Sequence, residues 1–371
     1  MTRTTLHLRA GAGRATVTLA DPEAAAVASV VWNRCALTPD STQPVSPIRG
    51  MASSGLWDSD TPAPGRSDAV VRDVTQAAIT AGVGRSIMLH AAGLADFATG
   101  RTLALVAPSG TGKTTAVAAL GQHYGYVTDE TVIIDPTTLA ITPYPKPLSL
   151  LGPQRRHPKT LVSPDEIGLG ATPEQPYLHR VVVLMRSPEH HGVPQVSHLT
   201  MPEALGHLVP QSSSLGVLER GLVQLATVLD RTEGCLAVRY QQATDMRPLL
   251  DALLGRNNGL SPVVWRHPDM AERFLQAHHT GTEAAPGTLY RTAYDDALHF
   301  DEDDAIAVLH GAQFTVLTGL GALIWDMLSI PYPPQKLVDE LADSPHAPPS
   351  AACQVRQALG RLMDRGLVAA L

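Results

Sequence analysis

Residues 103–121 constrain the fold of this chain more than any other stretch. Leu103-Ala-Leu-Val106 is a short apolar run that reads as a buried strand, residues 107–111 are small and turn-prone, and residues 114–121 are Ala-rich and read as a helix. Strand, tight loop, helix is α/β grammar. The joining sequence, Ala107-Pro-Ser-Gly-Thr-Gly-Lys113-Thr114-Thr115, fits Gly-x4-Gly-Lys-Ser/Thr everywhere except its first position, where Ala107 needs no positive φ. Such a loop turns the backbone N–H groups of Ser109, Gly110, Thr111 and Gly112 inward, and the helix behind it adds its positive end, so together they cradle an anion. Lys113 is then placed to neutralise β/γ-phosphate charge and the Thr114 hydroxyl to ligate Mg²⁺, with Thr115 completing the nucleotide-binding set. The bland reading, a Gly-rich turn that happens to precede a helix, is disfavoured by the strand in front and the helix behind.

Composition sets the frame around this loop. A chain of 371 residues with 44% hydrophobic residues can bury at least one sizeable core and divide into two or three domains. Its net charge of −7 comes without a long basic tract, which argues against a nucleic-acid partner. Cys35, Cys235 and Cys353 are far apart and form no CxxC pair, so neither a disulfide framework nor a zinc cage is supported, and a cytoplasmic location fits. The N-terminus is too polar for a signal peptide, and no window reaches the roughly 18 apolar residues of a membrane span. The acidity is unevenly placed: residues 284–371 hold eleven acidic and five basic residues, −6 of the total −7.

The remaining pattern predicts four regions. Residues 1–85 read as a strand-rich N-terminal region, with alternation at 15–19, an apolar stretch at 27–32, a long Ser/Pro/Gly loop over 39–68 and a helix over 68–81 whose function is not legible. Residues 86–257 read as the α/β domain, with strands at 103–106, 126–134, 181–185 and 236–240 and helices at 202–208 and 215–229. Residues 258–287 read as a linker, within a Gly/Pro/Asn/His-rich stretch at 257–289 carrying one short helical run at 270–277. Residues 288–371 read as a small winged-helix module: paired strands at 305–310 and 313–317, helices at 321–328, 334–341 and 350–365, and a terminal strand.

Two further features carry chemistry. Asp129 and Glu130 follow Lys113 by one helix and its return, where a strand beside the loop would end; adjacent strand residues point opposite ways, so the two divide the work, Asp129 as base and Glu130 on the metal side, the bland alternative being a turn-end acidic pair facing water. His90, in Ile87-Met-Leu-His-Ala-Ala-Gly, is on its own more readily a strand histidine satisfied by backbone.

His90, the loop at 107–115 and the segment 126–131 together resemble the nucleotide-binding core of HPr kinase/phosphorylase, over about residues 86–255. The resemblance implies an α/β P-loop kinase core using ATP (or another nucleoside triphosphate) and Mg²⁺. In it His90 helps position phosphate, Asp129 is the catalytic base and Glu130 stands where the family has a second Asp. It also makes a homo-oligomer an expectation. The family's later Gly-rich signature with its arginine has no counterpart, so Lys146, Arg155, Arg156, Arg180 and Arg186 stand as candidate phosphate clamps, and the HPr protein is disfavoured as substrate.

The C-terminal Ala305-Ile-Ala-Val-Leu-His-Gly311, Leu317-Thr-Gly-Leu-Gly-Ala-Leu-Ile-Trp325 and Arg365-Gly-Leu-Val368 resemble PqqD, a winged-helix domain similar to the precursor-recognition elements of ribosomal peptide biosynthesis. That resemblance implies capture of a leader peptide as an added strand, expected near 308–314 and facing the helix at 350–365. The net charge of −6 opposes the DNA-binding use of a winged helix, and acidity at Asp301–Asp304 either favours a basic leader or belongs to an ordinary solvated hairpin. Together the two resemblances imply a kinase, similar to those of lasso-peptide clusters, that phosphorylates a Ser or Thr hydroxyl of a precursor peptide. A small-molecule kinase and a regulatory ATPase tethered to a peptide-biosynthesis complex are the rival readings.

Overall fold

The computed structural model describes residues 4–19, 21–37, 66–151, 159–255, 287–292, 294–301, 303–344 and 347–371. Most of the loop expected over 39–68, most of the linker over 257–289 and its helical run, and the clamp candidates Arg155 and Arg156 lie outside those residues. The chain forms two compact units, Met1–Leu218 with Thr227–Pro262, and Glu219–Ala226 with Val263–Leu371.

The first unit opens with the antiparallel hairpin β1 (Thr4–Ala10) and β2 (Gly13–Leu19). Helix α1 (Pro22–Val31) follows, its start fixed by Asp21, which accepts from the backbone N–H groups of Glu23 and Ala24, and by Pro22 in the first turn. Residues 27–32, grouped in sequence with a strand-rich region, therefore close a helix: the cap at Asp21 and the Ala-rich run behind it outweigh the β-branched valines. Helix α2 (Arg66–Gly82) matches the expected one and buries Val70, Val71, Val74 and Ala78. These elements share a core with Met88, Ile133 and Tyr144.

The next elements are β3 (Ile87–Leu89), β4 (Ala91–Ala95), β5 (Arg101–Val106), α3 (Lys113–Leu120), β6 (Gly125–Thr128), β7 (Val132–Ile134), β8 (Ile141–Thr142), β9 (Leu148–Leu151), β10 (Lys159–Val162), β11 (Tyr177–Arg186), β12 (Gln195–Leu199), α4 (Met201–Leu208), β13 (Ser212–Ser213), α5 (Gly221–Arg231), β14 (Cys235–Tyr240) and α6 (Arg247–Gly255). A six-stranded mixed sheet runs in the order β12-β14-β11-β5-β4-β6, with β5, β11 and β14 mutually parallel at its centre. A smaller sheet runs β13-β3-β7-β8, and β9 pairs with β10 as a hairpin. The central strands are buried on both faces, so they read as continuous apolar runs. Residues 215–217 form only a single 3-10 turn, and the helix expected over 215–229 begins at Gly221.

Two pairs of strands change sheet side by side. β3 pairs with β7 in the smaller sheet while β4 pairs with β6 in the larger, so the chain crosses between sheets at His90 and again at residues 129–131. The expected single strand over 126–134 is broken there. The Thr128 hydroxyl accepts from the backbone N–H groups of Glu130 and Thr131 at 3.2 and 3.3 Å, a turn that bends the chain out of the ladder.

The second unit contains β15 (Leu289–Arg291), β16 (Ala297–Phe300), β17 (Ala305–His310), β18 (Gln313–Thr318), α7 (Gly319–Met327), α8 (Pro334–Ala342), α9 (Ala351–Asp364) and β19 (Val368–Ala370). The three helices and the terminal strand match their expected positions. Ile324, Trp325, Leu328 and Leu337 are fully buried at its core, and Arg291 lies over the Trp325 ring at 4.4 Å. The expected edge at 308–314 is corrected: β17 is flanked by β16 and β18, because residues 297–300 form a strand that the sequence reading left unassigned. Both β16 and β18 are edges of this sheet, which packs on α7, and α9 lies on α7, α8 and β19. No described helix is long and apolar enough to cross a membrane.

Candidate functional site

The loop between β5 and α3 is built as its sequence demands. Gly110 and Gly112 sit at φ +81° and +103°, which only glycine adopts without strain, while the buried Ala107 has no positive φ. The Thr111 hydroxyl donates to the Pro108 carbonyl at 2.7 Å and tightens the turn. Lys113 is buried, and its ammonium donates to the carbonyls of Ala107 and Pro108, the latter at 3.2 Å. Burial lowers its pKa to about 8, against the opposing pull of Asp129 and Glu130.

Ala91 pairs with Val106, which brings the first sheet crossing beside the loop, and the second crossing lies against the first. His90, Asp129, Glu130, Ser109, Gly110, Gly112, Lys113, Thr114 and Thr115 consequently line one cavity of about 550 Å³; Thr111 alone of the expected set does not. Helix α2 supplies one wall through Arg72, Thr75 and Gln76, and the β9–β10 hairpin another through Ser149, Leu151 and Lys159. His90 is anchored by its backbone N–H on the Gln211 carbonyl at 2.6 Å. Burial and the charge of Lys113 lower its pKa, with Glu130 and Asp129 opposing, so the ring is held toward its neutral form.

The expectation that Asp129 and Glu130 point apart does not hold, because neither lies in a strand. Both meet Lys146, whose Nζ is 2.8 Å from Asp129 Oδ1 and 3.1 Å from Glu130 Oε2. A third contact runs to the Pro147 carbonyl at 3.2 Å, so all three ammonium N–H groups have acceptors and Lys146 is not a spare phosphate clamp. Burial alone would depress the Lys146 pKa; the two carboxylates more than offset this and raise it. The formal charges of the triad, one ammonium and two carboxylates, sum to −1. Tyr126, fully buried, offers its hydroxyl to Asp129 Oδ1 at 3.2 Å and to the Lys146 carbonyl at 2.8 Å. Thr75 donates to Glu130 Oε2 at 3.2 Å and lies 3.1 Å from the Tyr144 hydroxyl. Among the described residues nothing engages Asp129 Oδ2 or Glu130 Oε1.

Thr75, Tyr126 and Tyr144 were not singled out in sequence; the one available signal was a threonine inside the apolar stripe of α2. Of the remaining clamp candidates, Arg180 is buried against Glu233 at 2.5 Å and does not line the cavity. Arg186 is exposed, with its Nε donating to the Gln241 carbonyl at 3.2 Å. No described group of three or more His, Cys, Asp or Glu could hold a metal ion by itself.

No family model matches the chain. No curated protein matches it either. Among solved structures it is similar to the Hpr(Ser) kinase/phosphatase from Coxiella burnetii, at 12% sequence identity and a TM-score of 0.26, over 45% of this chain and 93% of that one. At that TM-score the likeness does not establish a shared fold.

Proposed function

We propose that the first unit is a phosphotransferase that moves the terminal phosphoryl group of ATP, or another nucleoside triphosphate, to a hydroxyl acceptor. One observation carries the reading: the double sheet crossing sets His90, Asp129 and Glu130 in the same cavity as a glycine-built phosphate loop and its lysine. In this reading the backbone of 109–112 holds the β-phosphate and Lys113 spans the β- and γ-phosphates. His90, held toward its neutral form beside the loop, helps position the transferring group. Asp129 accepts the acceptor hydroxyl's proton as its oxygen bonds to phosphorus and the bridging bond to the β-phosphate breaks. Lys146 holds that carboxylate in place, and Tyr126 and Thr75 orient the pair.

Mg²⁺ is tested by donor chemistry. The Thr114 hydroxyl with Asp129 Oδ2 or Glu130 Oε1 offers hard oxygens, and Mg²⁺ usually takes one or two carboxylates while substrate phosphates and water supply the rest. Those residues fit and would hold it; when bound, the ion neutralises charge on the β- and γ-phosphates.

We further propose that the second unit binds the leader of a precursor peptide along the open edge of β18, where Gln313, Val316 and Thr318 are exposed. Tethering then raises the local concentration of a weakly bound Ser or Thr acceptor. The occupation of Asp129 Oδ1 by Lys146 and Tyr126 favours one rival, a regulatory ATPase that turns over nucleotide and modifies no peptide. Incubation of the full chain with Mg-ATP and any short peptide encoded beside its gene separates the two. The peptide mass rises by one phosphoryl group with wild type and not with Lys113→Ala; ATP turnover with an unchanged peptide would support the regulatory reading.

A further inference from the structure

If the loop at 107–115 holds a nucleoside triphosphate, as proposed above, the rest of that molecule also needs a place. The loop opens on two sides. On one side lies the cavity with the carboxylates. On the other is a recess of about 100 Å³, bordered on one flank by Gly112, Thr115 and Ala119 and on the other by Arg186, Tyr240 and the segment 242–244. Gly112 and Thr115 border both spaces, so the N-terminal turn of α3 is a ridge between them.

The order of a triphosphate fixes which way it must lie over this ridge. With the terminal phosphoryl group toward Asp129 and Glu130, the α-phosphate and nucleoside leave across Gly112 and Thr115. We propose that the recess is the nucleoside subsite, taking the base while the ribose stays at its mouth and Arg186 contacts the α-phosphate and the near edge of the sugar.

Three observations support this placement. The walls come from the carboxyl ends of β11 and β14, which run parallel to β5, the strand that leads into the phosphate loop. All three strands end toward the crevice where open α/β sheets take ligands. Arg186 is anchored through Nε on the Gln241 carbonyl, which leaves its Nη groups for an anion, and Nη1 would stand only 3.8 Å from a Cβ placed on Gly112. A guanidinium fixed there overhangs the loop on the side away from the carboxylates. The recess pairs the small side chains of Ala119 and Ala243 and the buried ring of Tyr240 with the exposed amide of Gln242 and hydroxyl of Thr244. An apolar floor with a few polar groups at the rim suits a flat heterocycle and a sugar. A half-open space of this size holds one ring system.

The test compares binding of ATP and of inorganic tripolyphosphate to the full chain with Mg²⁺ by calorimetry. It needs no acceptor, so it stands apart from phosphoryl transfer. Wild type is expected to bind ATP more tightly than tripolyphosphate. Ala119→Leu, which fills the recess from α3 with a good helix former, is expected to weaken ATP roughly tenfold or more and leave tripolyphosphate unchanged, which also certifies the fold. Arg186→Ala is expected to weaken ATP more than tripolyphosphate. Equal affinity of wild type for the two ligands, or ATP binding in both variants as tight as in wild type, would overturn the subsite. Binding of neither ligand by wild type would overturn the loop reading and the subsite with it. ATP preference without peptide phosphorylation would keep the subsite and remove the proposed reaction.

Discussion

Lys113 and Lys146 are both buried within one cavity wall and behave oppositely. Lys113 donates only to carbonyl oxygens of its own loop and feels Asp129 and Glu130 without a direct bond, so burial wins and its pKa falls from the ordinary 10.5 to about 8. A bound triphosphate restores charged partners and raises it again. Well below pH 8 the ammonium is charged with or without nucleotide, and no proton is exchanged; above pH 8 the free protein has lost the proton that the complex keeps, so binding takes one up. Calorimetry in buffers of different ionisation enthalpy is expected to show this uptake growing from neutral pH upward in wild type and absent in Lys113→Met. Lys146 instead sits between two carboxylates. Lys146→Met leaves Asp129 buried without its counter-ion and is expected to cost about 3–5 kcal/mol in urea unfolding. Adding Asp129→Asn is expected to recover part of that loss.

At the scale of elements, the site exists because two neighbouring strand pairs change sheet at the same level. The phosphate loop was legible because its meaning lies in consecutive residues, Ala107 to Thr115, bounded by a strand and a helix. Lys146 was legible only as a cation in a Pro-rich stretch, since its partners are 16 and 17 residues away and meet it only after the turn on Thr128 bends the chain. Thr75 was hidden for a related reason: its partners, Glu130 and Tyr144, are distant in sequence, and α2 presents it among valines. The edge strand was misplaced because 297–300 is too short to announce itself, yet it turns β17 into an interior strand. Gly112→Ala tests the loop as an element: a side chain at φ +103° costs roughly 1–3 kcal/mol locally and reorients the N–H groups, so tripolyphosphate binding is expected to be lost while the melting temperature moves little.

For the whole molecule, each unit carries its own core, and the charge divides along with them. Nearly all of the net −7 belongs to residues 284–371, which leaves a near-neutral chain around the phosphate chemistry. A basic leader peptide is therefore expected to bind more weakly as ionic strength rises, and an affinity indifferent to salt would speak against charge as the basis of recognition. Trp325→Ala is expected to destabilise the second unit by about 3–5 kcal/mol, read by circular dichroism and near-ultraviolet signal. Affinity for ATP, proposed for the first unit, is expected to remain at the wild-type value; a parallel loss would contradict the separation of roles.

Phosphoryl transfer through Asp129 is the claim on which the rest depends, and intact-mass analysis of the precursor peptide after incubation with Mg-ATP tests it most directly. Wild type should add one phosphoryl group. Asp129→Asn should bind ATP as wild type does and add it slower by roughly 10²-fold or more. Transfer undiminished in Asp129→Asn, with Lys113→Ala inactive, would place the base elsewhere and contradict the account.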